Sequence, residues 1–233
     1  MLPSIPAGGK TLVYSTVDGH DIKLDYYLPS KQEGCLPAVI YYHGGGMTAG
    51  SRRITGFSAG AYSARAACVY ATPKPAVLLT GYGSAGDWLL DHWTTGRPPT
   101  SIAKLVDLNE VPNLLADKTA WLGAKLNKLD YAERAAAIPE DLKPAFLQLF
   151  VTENYPPSVF VHGTADEVVP DQESKHHYEQ LKKLGVKTEL LLVENGPHGL
   201  VDFSSGIPPR PAKGSVEAYG RALEFVTEVF NAV

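Results

Sequence analysis

Two runs of β-forming residues, KTLVYSTV and DIKLDYYL, lie on either side of the turn-forming residues Asp18, Gly19 and His20. That arrangement predicts an antiparallel hairpin. PAVIYYHG is instead a continuous apolar run, as expected of a strand buried on both faces. AGAYSARAACVYA, which begins at Ala59, is rich in helix formers and ends ahead of Pro73; PAVLLTGYG then reads as a second buried strand. From Ser84 to Pro157 the pattern changes. DWLLDHW, SIAKLVDL, NLLADKTAWLGAKLNKL and DLKPAFLQLFV predict helices punctuated by proline and glycine. Alternation of strand and helix resumes with SVFVHG, DQESKHHYEQLKKLG, KTELLLVENG and the closing SVEAYGRALEFVTEVFNAV. This order predicts an α/β class with a mostly parallel sheet and flanking helices. The expected core is 1–83 with 158–233, and 84–157 forms a helical cap insertion.

The 233 residues suffice for one such domain, and 44% hydrophobic with 20% charged residues is ordinary globular composition. A net charge of −4 offers no basic face, so nucleic acid is not expected as a partner. No apolar run is long enough to span a bilayer. MLPSIPAGGK lacks a charged region followed by an apolar stretch, so no secretory signal and a cytoplasmic location are expected. Cys35 and Cys68 have no metal-ligand spacing and predict two reduced thiols. No metal or organic cofactor is implied.

Candidate chemistry is concentrated in a few places. Gly56-Phe57-Ser58-Ala59-Gly60 has the glycine spacing of a sharp strand-to-helix turn that presents a serine hydroxyl. A little upstream, His43-Gly44-Gly45-Gly46 closes the PAVIYYHG run. Glycines there let backbone N–H groups of Gly44 and Gly45 turn toward a ligand oxygen, with the N–H of Ala59 completing an oxyanion hole. A serine needs a base, and the base needs an orienting carboxylate. His198 follows the strand TELLLV and Asp166 follows SVFVHG, both beyond strand C-termini, where open α/β sheets build their sites. His176 and His177 lie on a polar helix and read as solvated. His162 reads as a hydrogen-bonded structural residue, and Glu167 is an alternative to Asp166.

These motifs in this order resemble the α/β-hydrolase carboxylesterases of the hormone-sensitive-lipase type. The resemblance implies a catalytic triad of Ser58, Asp166 and His198, a small-molecule ester substrate and an acyl-enzyme intermediate. An amide, thioester or lactone would use the same residues. Trp88, Leu89, Leu90, Trp93 and Trp121 of the cap stand open between an acyl pocket and core. The elbow GFSAGA departs from the aspartate and second glycine that many relatives carry.

Spacing is the larger departure. Met47 to Thr55, nine residues, separates the two glycine motifs, where the resembled fold has a helix, a strand and another helix. Parallel neighbours need a crossover of about a dozen residues or more. Eight extended steps reach about 28 Å, against roughly 17–20 Å for an ordinary strand; the return is possible, but without a helix. The expected sheet is therefore shortened by one strand and its helices. An uncovered face would favour homo-oligomers, or would leave a catalytically impaired remnant that serves only to bind or associate.

Overall fold

The computed structural model describes residues 9–28, 38–42, 57–83, 136, 140–141, 143–202, 204, 206 and 209–232. The N-terminal hairpin consists of β1 (Lys10–Val17) and β2 (His20–Tyr26), paired antiparallel with a register shift between Val13 and Ser15. Asp18 and Gly19 form its two-residue turn at φ 50° and 78°. Positive φ at both positions matches the right-handed strand twist, which suits Asp-Gly here. His20 is already in the strand, opposite Val17.

The central sheet is parallel, in the order β3 (Leu78–Gly81), β4 (Ser158–Gly163), β5 (Thr188–Val193). Phe57 extends it through a parallel bridge to Gly81. Helix α1 (Ala59–Tyr70) follows Ser58, α2 (Gln172–Lys183) links β4 to β5, and α3 (Ser215–Asn231) closes the chain. Two short strands, β6 (Val201–Asp202) and β7 (Arg210–Pro211), pair antiparallel between β5 and α3.

Strand β4 shows how the layers form. Its odd residues Val159 and Val161 point into a cluster with Val193, Leu200 and the α3 residues Ala222, Phe225 and Val229. Its even residue Phe160 points the other way, to Ala64 and Cys68 of α1, Tyr155, and Leu181 of α2. All six positions of SVFVHG are buried, as in a strand covered on both faces, and its two polar side chains, Ser158 and His162, are hydrogen-bonded there. Burial also pushes the Cys68 thiol up to about 11, which leaves it an inert, protonated core group.

Three expectations fail. Residues 38–42 of the apolar run form no strand among the described residues, and Val39 and Ile40 stand 81% and 74% exposed. Apolar composition permits a buried strand, but a ladder partner makes one. DLKPAFLQLFV forms two 3₁₀ turns, Lys143–Ala145 and Leu147–Phe150, rather than an α-helix. Pro144 removes an N–H, and Phe146 at φ −105°, ψ 82° separates the turns. His177, expected in solvent, is buried against the rings of Tyr155 and Phe160. Burial holds its imidazole well below the usual range. The other three cap helices expected in 84–157, the Met47–Thr55 link and Cys35 lie outside the described residues.

Candidate active site

Ser58 sits where the chain turns from the sheet into α1, at φ 54°, ψ −128°. This region costs a non-glycine residue roughly 1–3 kcal/mol and persists only where surrounding contacts hold it. Those contacts are visible. The Ser58 N–H donates to Gly81 O at 3.1 Å, and the N–H groups of Gly60 and Ala61 return to Phe57 O and Ser58 O, both at 3.0 Å. Ala59 opens the helix, so its N–H is one of the first-turn donors that an α-helix leaves without an intrahelical acceptor. A methyl at Gly83 would lie 2.0 Å from the Ala61 Cβ, so glycine at 83 permits the close approach of this turn to the chain after β3.

The loops after β4 and β5 are joined to one another. Thr164 N–H donates to Val193 O at 3.0 Å, Ala165 N–H to Gly196 O at 3.1 Å, and Asn195 N–H to Thr164 Oγ1 at 2.8 Å. Their backbones nearly touch: a Cβ at Gly163 would fall 2.1 Å from Gly196 O. Any side chain at 163 would therefore wedge the two loops apart. These loops carry Asp166 and His198.

The three side chains named by sequence lie in a line. Ser58 Oγ is 3.0 Å from His198 Nε2, and His198 Nδ1 is 2.8 Å from Asp166 Oδ2. Asp166 Oδ1 accepts the N–H groups of Val168 and Val169 at 2.9 and 2.8 Å. Burial alone would raise this carboxyl, but hydrogen bonds from His162, His198 and the Val169 N–H outweigh it and bring it to about 2. An ionised carboxylate only accepts, so Nδ1 of His198 donates to it, and in the neutral ring Nε2 then accepts from the Ser58 hydroxyl. The His198 side chain is 23% exposed while that of Asp166 is fully enclosed. Close to solvent, a hydroxyl, an imidazole and a buried carboxylate are aligned, the arrangement acyl transfer uses.

The model of the prolyl oligopeptidase family (peptidase S9) matches residues 38–232. The chain belongs to the prolyl oligopeptidase family. It thus belongs to an enzyme family, and its fold is α/β-hydrolase-like. Esterase 2 of Thermogutta terrifontis, solved phosphorylated by paraoxon, superposes with a TM-score of 0.62 at 18% identity, over 97% of this chain and 96% of that one. The same esterase phosphoramylated by tabun gives 0.61 at 17% identity, over 97% and 94%. Carboxylesterase Cest-2923 of Lactobacillus plantarum WCFS1 gives 0.43 at 20% identity, and the chain spans only 56% of that protein's length. No curated protein matches the chain. No described helix is long and apolar enough to cross a membrane.

Of the expected site residues of this family member, Ser58, Ala59, Asp166 and His198 fall within the described structure. Gly44, Gly45 and the cap residues Trp88, Leu89, Leu90, Trp93 and Trp121 lie outside it. Glu167, the alternative acid, is exposed. Sequence reasoning passed over one neighbour of the line, Tyr82, and read the other, His162, as a hydrogen-bonded structural residue, which it is. The Tyr82 ring stands edge-on to the His198 ring with centroids 4.9 Å apart, and it also packs on Phe57 at 5.2 Å. Burial, with Tyr41 and Asp166 nearby, pushes the Tyr82 hydroxyl up to about 12. His162 reaches the Asp166 carboxylate from the opposite side, at 3.4 Å. Tyr82 directly follows β3 and His162 is the last residue but one of β4, so both lie at the strand ends where open α/β sheets build their sites.

Proposed function

We propose that the chain is a serine hydrolase that cleaves carboxylic esters, with Ser58 as nucleophile, His198 as general base and acid, and Asp166 as the orienting carboxylate. The N–H groups of Gly44, Gly45 and Ala59 hold the oxyanion. Support comes above all from the unbroken run of contacts, 3.0 Å from Ser58 Oγ to His198 Nε2 and 2.8 Å from His198 Nδ1 to Asp166 Oδ2. Ser58 Oγ attacks the ester carbonyl as its proton passes to His198 Nε2. The tetrahedral intermediate collapses, the C–O bond to the alcohol breaks, and the alcohol leaves with that proton. Water then attacks the acyl-Ser58 carbonyl, giving its proton to Nε2. Collapse releases the carboxylic acid and returns the proton to Ser58 Oγ. Asp166 remains ionised throughout and stabilises the transient imidazolium.

The family match also favours a second reading, the same acyl transfer on an amide bond. The organophosphate adducts of the Thermogutta esterase suggest the probe. Incubation with paraoxon is expected to add one diethylphosphoryl group, mapped to Ser58 by peptide mass. Folded protein that takes up no adduct rejects the reading and leaves a non-catalytic remnant, consistent with the exposed Val39 and Ile40. Turnover of p-nitrophenyl esters against matched anilides separates ester from amide.

We further propose that this member is of the HGGG type, acts in the cytoplasm, has residues 84–157 as its cap, and carries a shortened Met47–Thr55 connection. Nine residues between the two glycine motifs support the last point. Sequencing of the transcript is expected to reveal a longer form with added residues there; an uninterrupted message with no longer form removes the proposal.

A further inference from the structure

Behind the proposed triad a second imidazole faces the same carboxylate. His162, the last residue but one of β4, faces the α1–α2 side and is wholly buried. Its Nε2 lies 2.9 Å from Val169 O and 3.4 Å from Asp166 Oδ2, the oxygen that also meets His198 Nδ1. Its Nδ1 lies 2.8 Å from Ser174 Oγ, in the first turn of α2.

These partners dictate where the proton sits. Val169 O and the Asp166 carboxylate only accept, so His162 Nε2 must carry the hydrogen and share it between them. Nδ1 of the neutral ring is then an acceptor, and the Ser174 hydroxyl donates to it. The opposite tautomer would aim a lone pair at two acceptors in an enclosed site. The carboxylate is thus surrounded: Oδ1 takes two backbone N–H groups, and Oδ2 takes one imidazole N–H from each side.

We propose that His162 is a positioning residue for Asp166, and that Ser174, by holding the His162 ring from behind, belongs to the same device. The pair restrains rotation of the carboxylate so that Oδ2 stays directed at His198 Nδ1. It also draws off part of the charge on Oδ2 that His198 would otherwise receive alone. Neither residue touches the reacting atoms. The proposal rests on the triad reading above and extends it by one layer, as outer hydrogen-bond partners orient catalytic and ligand histidines elsewhere.

His162→Leu keeps the bulk and removes the donor, whereas His162→Gln returns an N–H at about the same reach. His162→Leu is expected to lower kcat about tenfold, the scale seen when outer partners are lost, with KM unchanged; His162→Gln should recover most of that loss. The low-field proton resonance of His198 Nδ1–H supplies a readout independent of turnover. It should move further downfield in His162→Leu, because Oδ2 no longer divides its charge between two donors. Should His162→Leu not fold, Ser174→Ala tests the same device, with a smaller shift in the same direction that Ser174→Thr reverses. Wild-type kcat and an unmoved resonance in a folded variant overturn the proposal. Absence of a paraoxon adduct on wild type would instead remove the triad reading, while the resonance still reports whether His162 contacts Asp166.

Discussion

Replacing Ser58 with alanine is expected to lower kcat by about a millionfold, the scale found when a triad serine is deleted, and to abolish the paraoxon adduct. Replacing it with glycine should do the same to activity but raise stability. The reason lies in the backbone at φ 54°, ψ −128°, which alanine inherits and glycine tolerates. Relief of roughly 1–3 kcal/mol of strain is offset by the roughly 0.5–1 kcal/mol of extra chain entropy that glycine loses on folding, leaving about 1 kcal/mol in favour of Ser58→Gly. Urea unfolding of the two inactive variants measures this without reference to catalysis. A glycine variant less stable than the alanine variant would mean that the turn is not strained at Ser58, and the elbow would lose its physical basis. The strained turn is tolerated because Gly81 O, Phe57 O and Ser58 O each take an N–H from it.

Much of this arrangement could be read in the sequence because it follows from local chemistry. SVFVHG and TELLLV are apolar runs between turn signals, and the structure makes them neighbouring parallel strands in register from Ser158 and Thr188. Asp166 and His198, the proposed acid and base, could be picked out as candidates because each stands in a loop just beyond such a strand. The buried face of α2 was not legible. Its inward positions are Glu173, Ser174, His177 and Leu181, a helical stripe in which only the last is apolar. Periodicity analysis detects apolar spacing, so a polar stripe reads as a solvated helix. His177 and Ser174 were missed for that reason, and with them the partner of His162. The run at 38–42 shows the converse failure, since its composition is that of a buried strand and only a neighbouring chain can make it one. Close approach of backbones, as between Gly163 and Gly196, is likewise a property of two distant segments and leaves only the glycines themselves as its trace.

Asp166→Asn is expected to lower kcat about ten-thousandfold while leaving the fold intact, as an amide in place of a triad carboxylate does by selecting the wrong imidazole tautomer. An asparagine can turn its NH₂ toward His198 Nδ1. The ring then carries its proton on Nε2, and the Ser58 hydroxyl faces a donor rather than a base. The same substitution carries a separate signature in stability. The Asp166 carboxyl falls from 3.8 to about 2 on folding, because donors to the anion outweigh the burial that opposes it. A depressed acid stabilises the folded state once the unfolded group has ionised, so its contribution is present above about pH 4 and disappears as pH falls toward 2. The displacement corresponds to about 2 kcal/mol. Wild type should therefore exceed Asp166→Asn in stability by about that amount at pH 6, and the gap should close on acidification through pH 4 to 2. Equilibrium unfolding across that range measures it. A gap that stays constant with pH would show that the Asp166 anion is not what these donors hold, and the mechanism would lose the charge that stabilises the imidazolium.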